Sequence, residues 1–222
     1  MKSFTLGILT LGQAPREDIV PTFQAILGGN TNYVQAGALD GLSLTQIAEL
    51  KTNNAREGIE TRLLGGDSVL VQKQQLIDKL KLKATQLATR CDISFLLCSG
   101  RFPELKQSHP FLLQPIDYLK PIVKSAATGR CLCIIGPESD MEMAPSQWRE
   151  CAGEVVTAAA SPYDHFELLA GAAKRAKAIG ADIIFMDDMG FTETQRQLVR
   201  TVSGVSTINA TSLFARIIEE IR

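Results

Sequence analysis

One twelve-residue stretch is written twice in this chain, ninety residues apart, so the fold must have a place for two versions of it. The first is Cys91-Asp-Ile-Ser-Phe-Leu-Leu-Cys98-Ser-Gly100-Arg-Phe102 and the second Ala181-Asp-Ile-Ile-Phe-Met-Asp-Asp188-Met-Gly190-Phe-Thr192. Without a gap, Asp92 meets Asp182, Ile93 meets Ile183, Phe95 meets Phe185 and Gly100 meets Gly190, while Cys98 falls opposite Asp188. Each copy reads as a buried strand: a short apolar run that ends in a polar residue and then a glycine able to turn the chain. In open parallel sheets ligands collect just beyond such carboxyl ends. A chain that builds the unit twice would present a thiol and a carboxylate to one shared cleft.

The chain's 222 residues suit one large domain or two lobes of about 100 residues each. A net charge of -1 without a basic run gives nucleic acid or an anionic membrane nothing to hold, which leaves small molecules and other proteins as partners. The apolar start from Met1 to Gly12 is too short and too rich in Thr and Gly for a signal peptide, and reads as a first strand. No segment has the length of a membrane span. The five cysteines, at 91, 98, 131, 133 and 151, are an odd set without a C-x-x-C pair, so neither a disulfide framework nor a zinc site is expected. Free thiols in a reducing cytoplasm are the expectation.

Along the chain, strands and helices alternate. Phe4 to Leu11 is a strand leading into Gly12-Gln13-Ala-Pro-Arg16-Glu-Asp18, with Pro15 placed to open a helix to about Leu27. Free N–H groups at such a helix start favour an anion, and Gln13 and Arg16 could add donors; a solvated surface arginine is the equal alternative. Asn32 to Ala36 reads as a second strand, and Ser43 with Gln46 forms a capping-box pattern. Ile59 to Leu64 and Ser68 to Val71, split by Gly65-Gly66-Asp67, signal a hairpin, and Gln74 to Thr89 an amphipathic helix. The proline-rich stretch from Phe102 to Pro121 suits a crossover between lobes, with the boundary near residue 120 and a short helix from Pro121 to Ala127. Cys131 to Ile135 is a strand ending at Gly136-Pro137-Glu138, and Pro145 to Cys151 a helix. The remaining elements are a strand from Glu154 to Ala159, helices from Asp164 to Ile179 and Thr192 to Val202, a strand from Val205 to Asn209, and a last helix capped by Thr211 or Ser212. This alternation implies parallel sheets with helices on both faces, and the echo implies two of them.

Two residues carry the chemistry in this reading. Cys98 stands at a strand end before Ser99 and Gly100, whose N–H groups could stabilise a thiolate or a developing negative charge; the competing role is a small buried hydrophobe. Asp187 and Asp188 face opposite ways on a strand, and the echo nominates Asp188 as acid or base, against a purely structural capping role. No histidine accompanies the two carboxylates, so no metal is assigned. His109 and His165 have no Ser or Asp at a catalytic spacing and read as surface residues. No P-loop or G-x-G-x-x-G occurs, so no nucleotide cofactor is expected.

Four separated motifs, Gly12-Gln-Ala-Pro-Arg16-Glu-Asp18, Gly37-Ala-Leu-Asp40-Gly-Leu42, Leu97-Cys98-Ser-Gly100-Arg-Phe102-Pro103 and Met186-Asp-Asp188-Met-Gly190-Phe191, make the sequence resemble the AroM family nearly end to end. That family is similar to the aspartate/glutamate/hydantoin racemase superfamily, whose members need no cofactor and place two cysteines at equivalent strand ends of two α/β lobes. The resemblance implies two Rossmann- or flavodoxin-like parallel-sheet lobes with a cleft between them, an N-terminal lobe of residues 1–120 plus 207–222 and a C-terminal lobe of 121–206. It implies an isomerase or lyase acting on a small carboxylate, with Cys98 at the first cysteine position and Asp188 in place of the second. Gln13, Arg16, Ser99, Gly100, Pro137 and Glu138 would line the substrate site, and a homodimer is the implied assembly. A non-catalytic protein that binds small anions on the same fold is the alternative.

Overall fold

The computed structural model describes residues 3–54 and 57–222. Its first unit comprises residues 1–115 with Arg222, and its second residues 116–221. In the first, the chain runs β1 (Phe4–Thr10), α1 (Val20–Leu27), β2 (Thr31–Gly37), α2 (Leu44–Glu49), β3 (Gly58–Arg62), β4 (Ser68–Gln72), α3 (Lys73–Ala88), β5 (Ile93–Leu97), α4 (Pro103–Ser108) and β6 (Leu112–Leu113). Pro115 opens α5 (Pro115–Ala127), which leads to β7 (Cys131–Gly136), α6 (Ala144–Trp148), β8 (Glu154–Ala159), α7 (Phe166–Ile179), β9 (Ile183–Met186), α8 (Glu193–Ser203), β10 (Ser206–Asn209) and α9 (Ala210–Ile221).

Each unit holds one four-stranded parallel sheet, and the two sheets have the same topology. The first is ordered β2-β1-β5-β6 and the second β8-β7-β9-β10, so the opening strand of each lies between the second and third. The repeated stretch supplies the third strand both times, and its conserved letters do the same work in both places. Asp92 accepts from the Thr5 N–H through Oδ2 at 2.8 Å while its own N–H donates to the Thr5 carbonyl at 2.9 Å. Asp182 does the same to Cys131, with both bonds at 2.9 Å. Each aspartate thereby ties the third strand to the start of the first. The echoed phenylalanines pack alike as well: Phe95 lies on Phe23 of α1 with ring centroids 5.1 Å apart, and Phe185 on Trp148 of α6 at 4.8 Å.

The cores follow from strand burial. Leu9, Leu11, Leu39, Val71, Leu76, Leu80, Leu96, Phe102 and Leu105 fill one face of the first sheet. In the second unit Ile135, Leu169, Ala172, Ala173, Ala176, Ile184, Met186, Phe191 and Val199 cluster in the same manner, the alanines letting α7 come close to its sheet. The Val, Leu, Ile, Met and Phe side chains among these contribute about 1.5–3 kcal/mol each on full burial, which makes these clusters the main stabilising term. Cys133 is one of the buried set, and burial pushes its thiol up to about 12, so it packs rather than reacts.

Several elements differ from expectation. Pro15 does not open a helix: α1 begins at Val20, with Pro21 in the first-turn position, and residues 11–19 form a loop. The loop's backbone is claimed elsewhere, since the Ala14 N–H donates to Asp40 Oδ1, the Arg16 N–H to Gln35 Oε1, and the Gly12 carbonyl accepts from Leu39. The proline-rich stretch is not a bare crossover. It contains α4 and the short β6, which completes the first sheet, and α5 starts at Pro115 and tolerates Pro121 inside. The sequence reading places residues 207–222 in the N-terminal lobe; in the structure β10 pairs with β9, and all of them but Arg222 group with the second unit. The cap of α9 is Asn209, whose Oδ1 accepts from Thr211 N–H, rather than Thr211 or Ser212. Ser43 makes its capping box with Gln46 as read, and Thr192 makes another with Gln195. No described helix is long and apolar enough to cross a membrane.

The antiparallel hairpin β3–β4, read correctly from its glycines, has no counterpart in the second unit among the described residues. It docks on the loop after β1 through main chain: Gln13 N–H donates to the Arg62 carbonyl, and Gln13 Oε1 accepts from Leu64 N–H. Gly12 permits this approach, because a Cβ there would collide with the Arg62 carbonyl and Thr61 Oγ1. Overpacking of this kind costs about 1–3 kcal/mol when backbone must yield. Gly12→Ala is therefore expected to lower the unfolding free energy measured by urea denaturation by that amount. Gly29→Ala, at a position with nothing within 4 Å, should leave it nearly unchanged.

Candidate functional site

Because both sheets are parallel, the residues that follow β1, β2 and β5 emerge along one edge of the first sheet, and those following β7, β8 and β9 along one edge of the second. The candidate residues divide between these edges. Gln13, Arg16, Cys98, Ser99 and Gly100 belong to the first unit; Pro137, Glu138, Asp187 and Asp188 belong to the second.

In the first unit Cys98 sits one residue past β5, half-buried and packed against the core, in no disulfide. Its N–H donates to the Leu96 carbonyl at 2.9 Å. The Gly100 N–H, expected to hold a developing oxyanion, points instead at the sulfur, 3.2 Å from Cys98 Sγ. A backbone donor there favours the thiolate over the thiol. In two other cysteines the balance runs the other way: burial pushes the Cys91 thiol up despite a hydrogen bond with Ser94, and burial with the charges of Glu154 and Asp182 does the same for Cys131. The rest of the loop is held by Lys73, whose ammonium donates to the Arg101 carbonyl at 2.6 Å and stands 4.3 Å over the Phe102 ring.

Arg16 is nearly buried and offers its fork to Asp18, with Nε and Nη2 donating to the two carboxylate oxygens at 2.9 and 2.8 Å. Burial alone would raise the Asp18 carboxyl, but the hydrogen bonds and charge of Arg16, with Arg62 behind them, outweigh it and hold the group below its ordinary value. Arg62 is the residue sequence reasoning missed; it lies forty-six positions from Arg16, and only the docking of the hairpin joins the two. Gln13, expected to contact substrate, spends its Oε1 on the hairpin.

In the second unit the adjacent aspartates have separate partners. Asp187 Oδ2 accepts from the Trp148 indole N–H at 2.7 Å, and its backbone N–H donates to the Ile135 carbonyl. Asp188 lies past the end of β9 and its Oδ1 accepts from the Gly190 N–H at 2.5 Å. The side chain two residues ahead of the glycine therefore takes the glycine's N–H in both units, sulfur in one and carboxylate in the other. Gly190 is crowded, because a Cβ there would come within 2.5 Å of Tyr163 Oη and 2.9 Å of Asp188 Oδ1. Pro137 is buried and Glu138 exposed at the start of a short 3-10 turn beyond β7. His109 is engaged by Thr85 and Ser108, and His165 lies exposed before α7. Among the described residues, no group of three or more His, Cys, Asp or Glu side chains is assembled to hold a metal ion.

Known proteins share this architecture. Arylmalonate decarboxylase superposes with a TM-score of 0.58 at 14% identity, covering 98% of this chain and 91% of the other. The maleate isomerase Iso from Pseudomonas putida S16 gives 0.60 at 10% identity over 98% and 92% of the two chains. Glutamate racemase from Aquifex pyrophilus gives 0.58 at 11% identity over 99% and 84%. At such identities the likeness is one of fold, and it places two four-stranded parallel sheets in the architecture of the aspartate/glutamate racemase superfamily. A comparison with curated protein sequences yields no match. The family model described as AroM protein matches residues 6–222, nearly the whole sequence, and the chain belongs to the AroM family.

Proposed function

We propose that this protein is a cofactor-independent, racemase-like isomerase or lyase for a small carboxylate, with Cys98 and Asp188 as its acid/base groups. The observation that carries the reading is the atomic form of the echo: two ionisable side chains at the same point beyond the third strand, each bonded to the N–H of the glycine two residues on. The chemistry needs a base to take the proton alpha to a carboxylate, or to receive one after loss of carbon dioxide, and an acid to complete the exchange. In this reading Cys98, with the Gly100 N–H on its sulfur, is the base, and Asp188 replaces the thiol of a symmetric pair. Arg16 and Arg62, whose charges both reach Asp18, would form the basic side of the substrate site at the first sheet's edge. The structural relatives act on an arylmalonate, maleate and glutamate by their names, and all three are carboxylates.

A second reading has one observation in its favour. Both carboxylates of the Asp187-Asp188 pair already accept hydrogen bonds within their own unit, as parts of a structural turn would. In that case the protein binds small anions without turning them over.

Incubation with arylmalonates, maleate and glutamate in deuterated buffer separates the two by deuterium incorporation or carbon dioxide release. Turnover that drops about 10²- to 10⁴-fold in Cys98→Ser and in Asp188→Asn is the expected result. Turnover that survives Cys98→Ser sinks the catalytic assignment, and saturable binding without turnover favours the second reading. Peptide-resolved alkylation with iodoacetamide gives an independent check. Cys98 should alkylate at lower pH than Cys91 and Cys131, whose thiols burial pushes up.

A further inference from the structure

A pair of buried carboxamides occupies the same place in the two units. Leu113 pairs with Phe95 in the first sheet and Ile208 with Phe185 in the second, so Gln114 and Asn209 each stand one residue beyond the partner of an echoed phenylalanine. Both are about 1% exposed. Both reach back to the loop that follows the third strand. Gln114 accepts from the Phe102 N–H through Oε1 at 2.9 Å and donates from Nε2 to the Phe102 carbonyl at 2.8 Å. Asn209 donates from Nδ2 to the carbonyls of Phe191 and Thr192 at 3.1 and 3.3 Å, and Thr192 is the residue opposite Phe102 in the repeat. Around each carboxamide the flanking sequence differs, and the side chains differ in length. The shared feature is a neutral amide on the fourth strand that fastens main chain on the third-strand loop.

We infer that Gln114 is a positioning residue for Cys98. This rests on the reading of Cys98 as an acid/base group. The loop from Cys98 to Phe102 turns at Gly100, and its far end is a buried peptide whose N–H and carbonyl are both satisfied by one side chain. With Phe102 held at both polar atoms, the two residues before it have little freedom, and the Gly100 N–H stays directed at Cys98 Sγ. Without the carboxamide, the buried Phe102 N–H would go unmet and its carbonyl would keep only the Lys106 N–H at 3.0 Å, and the loop would move to satisfy the N–H. The sulfur would then lose the donor that favours its ionised form. Asn209 serves the second loop, which carries Asp188, and is no closer in sequence or sheet to Cys98.

The test compares Gln114→Met, of similar volume but without hydrogen-bonding groups, with Asn209→Leu as a variant that loses the equivalent clamp in the second unit. Iodoacetamide alkylation of the full chain is followed across pH by peptide-resolved mass spectrometry. Gln114→Met should move the Cys98 midpoint to higher pH by roughly 0.5 units or more, with the Cys91 profile unchanged. Asn209→Leu should leave the Cys98 midpoint where it is. An unmoved Cys98 midpoint in folded Gln114→Met overturns the inference, as does an equal movement in Asn209→Leu. Should Gln114→Met fail to fold, Gln114→Asn carries the same test, since it stays neutral and polar but is one methylene too short to hold both polar groups of Phe102. A shift in the same direction supports the role and an unchanged midpoint refutes it. Absence of turnover in the unmodified protein would defeat the enzymatic reading alone, because the alkylation profile reads the clamp without a substrate.

Discussion

Each sheet depends on an aspartate that holds its third strand in step with its first. Side chains on a strand alternate between faces, so a slip of one residue would turn the buried set outward and bring the polar residues in. Asp92 and Asp182 prevent the slip by engaging both polar groups of one residue, Thr5 in one case and Cys131 in the other. With that register set, Phe95 and Phe185 face their aromatic partners, and the ladders end at Leu97 and Met186. Cys98 and Asp188 then fall where the chain leaves the sheet. The chemistry proposed for them is thus a consequence of a backbone alignment made at the opposite end of the strands.

The same reasoning explains why some residues at these edges are engaged by their own unit. A loop that leaves a sheet edge exposes main-chain groups, and each must find a partner. Asp40 accepts from Ala14 and Gly37, Gln35 from Arg16, and Gln114 serves Phe102. Arg16 likewise lies against Asp18 instead of standing alone as a cation. What such pairing leaves is a rigid edge.

Much of this was legible in the sequence because the signals are local. The echoed stretch, the glycines of the hairpin, the Ser43-Gln46 box and the long amphipathic α3 each lie within a short window, and periodicity or turn chemistry reports them. β6 was not legible, since two residues among prolines carry no period, and without it the stretch from Phe102 to Pro121 looked like a linker. Pro15 misled for a related reason: its place suits a helix start, but the loop around it is bonded to Gln35, Leu39 and Asp40, more than twenty residues ahead on average. The bonds from Gln114 and Asn209 to the strand-end loops, and the meeting of Arg62 with Arg16 and Asp18, are tertiary in the same way. Glutamine, asparagine and arginine are common enough that nothing in their spacing marked them.

The hairpin over the first sheet invites one more thought. Its grip on the loop after β1 uses the Arg62 carbonyl and the Leu64 N–H, which every residue type but proline can provide. An exposed side chain such as Leu64 can therefore be exchanged with little penalty to the attachment itself. A lineage could redress this rim for a new ligand by point substitutions while the scaffold beneath stayed as it was, and the other half of the molecule, which has no such appendage, would take no part in the change.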